Sequence, residues 1–74
     1  MSSSPKRERR GVDPVVRHLQ RERLHQEVSL EAMSVCAGYS HDYWGQVERG
    51  AIAPSFAAVV DHAQVLGFKV VLFR

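Results

Sequence analysis

Ser29-Leu30-Glu31-Ala32-Met33-Ser34-Val35-Cys36-Ala37-Gly38-Tyr39-Ser40-His41-Asp42-Tyr43-Trp44-Gly45-Gln46-Val47-Glu48-Arg49-Gly50 carries the clearest structural signal in the chain. Ser29 and Ser40 are two helix starts, eleven residues apart. At such a position a side-chain oxygen accepts from an otherwise unpaired amide. Gly38 and Gly50 stand where a helix ends in the left-handed conformation. The spacing predicts a second helix over 30–37, capped by Ser29, and a third over 41–49, capped by Ser40. Helices joined by so tight a turn must cross steeply, the geometry that sets a second helix into a DNA groove.

Working outward, a first helix is predicted from Asp13 or Pro14 to Gln26, since Asp13 can cap and proline suits the first helical position. Val15, Val16 and Leu19 mark one face and Leu24 another edge, with Arg17, Gln20, Arg21 and Glu22 mostly outside. Leu30, Met33 and Ala37 recur at helical spacing in the second helix, and Trp44 and Val47 are the buried positions of the third. Glu31 lies in the first turn of its helix, where a carboxylate is favourable. After a loop over 51–54, Ser55 caps a fourth helix reaching Leu66. Phe56, Val59, Val60, Ala63 and Leu66 are expected inward, and Gly67 is the stop.

Phe68-Lys69-Val70-Val71-Leu72-Phe73-Arg74 is β-branched and aromatic, and reads as a strand. No other strand is predicted, and a lone strand leaves a row of backbone groups unpaired. Phe68, Val70, Val71, Leu72 and Phe73 are therefore expected to pair with a second copy across a two-fold axis. A fifth helix is the alternative, disfavoured by the Val-Val-Leu-Phe run. The expected organisation is a disordered basic arm over 1–11, a helix-turn-helix domain over 12–67 and a dimerisation strand over 68–74.

The net charge of +2 is unevenly spread. Residues 1–11 carry Lys6, Arg7, Arg9 and Arg10 against Glu8, whereas from Val12 onward six Lys and Arg face seven Asp and Glu. The arm is either a solubilising tail or a segment that follows a DNA backbone or minor groove. The single cysteine, Cys36, cannot form an internal disulfide. No apolar run approaches ~18 residues and the basic N-terminus lacks a signal-peptide core, so a cytoplasmic protein without membrane association is expected.

From Leu19 to Gly67 the chain resembles the phage-repressor and Cro class of helix-turn-helix domains, the xenobiotic-response-element family. The run Tyr39-Ser40-His41-Asp42-Tyr43-Trp44-Gly45-Gln46-Val47-Glu48-Arg49-Gly50 carries most of the likeness. Ser29-Leu30-Glu31, Pro54-Ser55-Phe56 and the stretch from Ala63 to Gly67 fit as well. The resemblance implies a mainly α lambda-repressor-like fold of four to five helices, here with a C-terminal strand paired between protomers. It implies an ion pair between Arg23 and Glu48. By position it places His41, Asp42 and Gln46 toward base edges, with Ser40, Tyr43 and Arg49 near phosphates or flanking bases, and Arg9 and Arg10 on the arm. The implied partner is an operator in double-stranded DNA, bound by a homodimer.

Three positions depart from the family pattern. Leu30 replaces a polar residue that often touches phosphate, Ala51-Ile52-Ala53 replaces a more basic loop, and Asp42 turns a carboxylate toward a polyanion. Asp42 either accepts from a cytosine amino group or caps the third helix. Together these departures suggest weaker unspecific affinity than the family norm, or dependence on the tail and on dimerisation. Asp42, the apolar Ala51-Ile52-Ala53 loop and the near-neutral charge from Val12 onward also favour a rival reading in which the same fold serves mainly to bind a protein, a toxin or another regulator. Catalysis is not expected, because Cys36 on the buried side of its helix reads as a small hydrophobe. No metal or other cofactor is expected, because His18 and His25 have no evident third ligand. His62 reads as a half-buried structural histidine.

Overall fold

A computed structural model describes residues 13–70, which form four helices: α1 (Pro14–His25), α2 (Leu30–Cys36), α3 (Tyr43–Glu48) and α4 (Phe56–Val65). Val16 and Leu19 of α1, Met33 of α2, Trp44 and Val47 of α3, and Ala63 and Leu66 at the end of α4 meet in one core. Each large apolar side chain so buried contributes ~1.5–3 kcal/mol before chain entropy is set against it. In a domain this small nearly every inward residue is needed.

Three helices start on a side-chain cap. Asp13 accepts from the Val15 amide at 2.8 Å, Ser29 Oγ from Ala32 at 3.0 Å and Ser55 Oγ from Ala58 at 3.1 Å. The start of α3 differs from the sequence expectation. Helix geometry begins at Tyr43 rather than His41, and Ser40 is not its cap; the residue at the cap position, Asp42, makes no side-chain capping bond. Ser40 Oγ instead donates to Asp42 Oδ1 at 3.2 Å. The cap comes from another helix: buried Ser34 of α2 accepts from the Trp44 amide at 2.8 Å.

All four helices end in the same paired-bond closure. The first residue beyond each helix's cap is left-handed, and the next amide returns to a carbonyl five residues back. Gly38, Gly50 and Gly67 supply this conformation after α2, α3 and α4. After α1 the residue is Glu27 at φ 60°, with Val28 donating to the Arg23 carbonyl at 3.0 Å. A left-handed non-glycine residue costs on the order of 1 kcal/mol. Arg23 Nη1 donates to the Val28 carbonyl at 2.8 Å, which ties the strained turn to the helix it closes.

Three side chains expected inside are outside: Val15, grouped with Val16 and Leu19 but 52% exposed because the core-facing side of α1 is carried by Val16, Leu19 and Arg23, and then Phe56 and Cys36. Phe56, the first residue of α4, is 63% exposed and stands beside Val15 rather than in the core. Cys36 is exposed, since α2 turns Met33 and Ser34 inward and Cys36 lies just over half a turn round from Ser34. Residues 68–70 form no strand among the described residues, and Phe68 packs by its ring on His18 at 5.9 Å between centroids. The remainder of the expected strand, Val71, Leu72 and Phe73, lies outside the described residues, as does the basic arm with Arg9 and Arg10.

Candidate nucleic-acid interface

The candidate interface is organised around α3, whose two sides meet different surroundings. Its inner side is anchored from three directions. Trp44 is fully buried and stacks on His62 of α4 at 4.3 Å with rings 17° apart, while Val47 packs against the core. Glu48 is gripped by α1: Arg23 Nε donates to Oε2 at 2.8 Å, Arg23 Nη2 to Oε1 at 3.0 Å and Gln20 Nε2 to Oε1 at 3.1 Å. Arg23 is only 7% exposed, and the Glu48 side chain only 5%. A two-pronged contact between buried charges has one good geometry, so it sets the register of α3 against α1.

Aromatic packing extends this anchor. Tyr39, in the turn before α3, stacks on Tyr43 at 4.7 Å and donates its hydroxyl to Asp61 Oδ2 at 2.9 Å. The Asp61 hydrogen bond holds the phenol protonated above its ordinary range, with burial and the carboxylate charge acting in the same direction. Half-buried Tyr43 also stacks on His62 at 5.5 Å. His62 Nδ1 lies 2.7 Å from the Ala58 carbonyl and so carries the ring proton. Nε2 is buried with no hydrogen-bond partner among the described residues. Burial lowers the His62 pKa, outweighing the Ala58 bond and the Asp61 charge, which pull upward. The imidazole belongs to the core as a neutral ring, more deeply buried than its sequence position implied.

Among the described residues, the outer side of α3 has no such hydrogen-bond partners on α1 or α2. Ser40, His41, Asp42 and Arg49 are exposed, and Gln46 is half-buried. Gln46 Nε2 donates to Asp42 Oδ2 at 3.1 Å, so Asp42 holds Ser40 and Gln46 at once. His41, Asp42 and Arg49 share a shallow cleft with Leu30 and Glu31 at the start of α2. Gly45 forms its floor: a Cβ there would stand 3.3 Å from Arg49 Nη1 and 3.7 Å from Leu30 Cδ1. The missing side chain lets Arg49 lie back across its own helix. Sequence reading did not single out Gly45, because a mid-helix glycine acquires meaning only once the neighbouring helix is in place.

The structure therefore brings Ser40, His41, Asp42, Gln46 and Arg49 to one surface and turns Tyr43 partly into the aromatic stack. Ser34, Tyr39 and Asp61 were missed. Their bonds to Trp44, Asp61 and Tyr39 span ten or more residues, and no local pattern marks them. Among the described residues no group of three His, Cys, Asp or Glu side chains is placed to hold a metal ion, and no helix is long and apolar enough to cross a membrane.

Two short helices, α2 and α3, joined by the turn over 37–42 and packed on each other through Ser34 and Trp44, have the order of a helix-turn-helix motif. Residues 7–74 match the helix-turn-helix domain family, and the chain belongs to that family, a DNA-binding class. No curated protein and no solved structure matches it significantly.

Proposed function

We propose that this chain is a sequence-specific transcriptional regulator, a repressor or activator of the phage-repressor and Cro type. It acts in the cytoplasm on a palindromic operator as a homodimer. The observation that carries the reading is the division of α3: Trp44, Val47 and Glu48 are held by the fold, while His41, Asp42, Gln46 and Arg49 face outward with no hydrogen-bond partner, among the described residues, beyond their own helix and its flanking turn. In this reading His41, Asp42 and Gln46 meet base edges. Ser40, Tyr43 and Arg49 meet the backbone, and Arg9 and Arg10 add phosphate contacts without sequence choice. Residues 68–74, including Phe68, Val70, Val71, Leu72 and Phe73, join the two protomers. Exposed Phe68 and Val70 support that role.

The test is competitive binding against a library of randomised half-sites. Gln46→Ala should relax preference at one symmetric base pair, whereas Arg49→Ala should weaken all sequences alike. Selected sites should be palindromes with half-sites about one helical turn apart. A wild-type protein without preference for any duplex would overturn the reading.

One observation favours a second function, binding of a protein such as a toxin or another regulator. An open apolar groove of about 520 Å³ runs between the start of α1 and the loop before α4, walled by Val15, Ile52, Pro54, Phe56 and Val59. Val15 and Phe56 present large apolar surface to solvent there. Such surface marks interaction sites more often than it covers a free monomer.

A further inference from the structure

We propose that Asp42 is a positioning residue: it sets the direction in which Gln46 presents its amide, and so makes Gln46 read adenine rather than guanine. The inference rests on the DNA-reading function proposed above and adds a determinant of specificity to it.

Asp42 occupies the cap position just before α3 and is exposed, yet its side chain caps no helix amide. Its two oxygens are occupied separately, Oδ1 by the Ser40 hydroxyl at 3.2 Å and Oδ2 by Gln46 Nε2 at 3.1 Å. A carboxylate only accepts, so the amide of Gln46 must turn its NH₂ toward Asp42 and its Oε1 away. Left alone, the terminal torsion of a glutamine is broad and the two amide faces exchange easily. With one N–H given to Asp42, the second N–H and Oε1 remain as a neighbouring donor and acceptor on the open side. Adenine offers the complementary pair in the major groove, N7 to accept and the N6 amino group to donate. Guanine offers two acceptors, N7 and O6, and would leave Oε1 facing an oxygen.

This arrangement also accounts for a carboxylate on a surface meant for a polyanion. The Ser40 and Gln46 donors occupy both oxygens, and the remaining repulsion lowers affinity for every sequence alike. Selectivity and affinity thus change in opposite directions when Asp42 is altered, which a purely structural residue would not produce.

The experiment measures binding of the full-length chain to duplexes that differ only at the base pair read by Gln46, beside thermal unfolding of each variant. The base pair is located as the one at which Gln46→Ala loses preference. Asp42→Asn keeps the shape but presents a donor as well as an acceptor, so the amide direction is no longer dictated. Its preference for adenine over guanine should fall about tenfold, or about 1.4 kcal/mol. Its affinity for all duplexes should rise, and its melting temperature should hold. Asp42→Glu keeps an acceptor-only group and should retain the preference. An adenine preference unchanged in Asp42→Asn overturns the inference while leaving the DNA-reading function intact. A preference that Asp42→Asn abolishes at a different base pair, leaving the one located by Gln46→Ala intact, also overturns it, since Asp42 would then read a base itself. A wild-type chain that prefers no duplex overturns both.

Discussion

The two sides of α3 are built from the same polar residue types and use them in opposite ways. On the inner side, Glu48 reaches Arg23 and Gln20 of α1, and the Trp44 amide reaches Ser34 of α2. Every such bond joins helices and is shielded from water. On the outer side, among the described residues, Asp42 binds Ser40 and Gln46, neighbours in sequence, on the solvent-facing surface. A buried polar group must keep its partner, because losing it leaves a desolvated charge or dipole behind. An exposed one exchanges its partner for water at little cost. The inner side can therefore serve stability, and the outer side is free to exchange its bonds for those of a ligand.

That contrast breaks first at Glu48. Glu48→Ala strands the buried Arg23 guanidinium and should cost ~3–5 kcal/mol, enough to unfold much of so small a domain. Thermal unfolding followed by circular dichroism checks it, and an unchanged midpoint would show that the pair is not shielded as the geometry implies.

Ser34→Ala comes next. It leaves the Trp44 amide buried without an acceptor and should destabilise by ~1–3 kcal/mol. Ser40→Ala, on the outer side, should change stability far less, although Ser40 lies nearer in sequence to the start of α3. Equal losses in the two variants would put the cap back on Ser40.

His62 sharpens the contrast through pH. Its folded pKa lies below the ordinary value of 6.5, so the unfolded chain binds the proton more readily. The contribution of the neutral ring is complete above about pH 6.5. It declines as pH falls from there toward the folded pKa. Denaturant midpoints between pH 7.5 and 5.5 should fall, and fall less in His62→Phe, which keeps the ring stack and loses the titration. Parallel curves for the two proteins would exclude His62 as the source.

The smallest stability effect is expected on the outer side. Arg49→Ala should move stability by no more than about 0.5 kcal/mol while lowering DNA affinity across all sequences. A large drop in melting temperature would show that Arg49, lying over Gly45, works for the fold instead.

Much of the architecture is legible locally. Asp13, Ser29 and Ser55 mark three helix starts because a cap is a bond between residues two or three apart. Gly38, Gly50 and Gly67 mark three helix ends because only a left-handed residue closes them. Trp44 and Val47 announce the inner side of α3 by their spacing. Glu27 carries no such mark: its left-handed conformation is held by the bonds of Arg23 and Val28, which override its own preference. Phe56 misleads because hydrophobicity says that a side chain gains by burial, not that a groove partner lies within the same chain.

The sequence by itself determined the four helices and the polar character of the outer side of α3, since both follow from interactions within one or two turns. The tertiary structure alone decided where α3 begins, which serine caps it, how deeply His62 is buried and what Asp42 holds. The first three depend on the crossing of α2, α3 and α4, and the last on the turn that delays α3 to Tyr43.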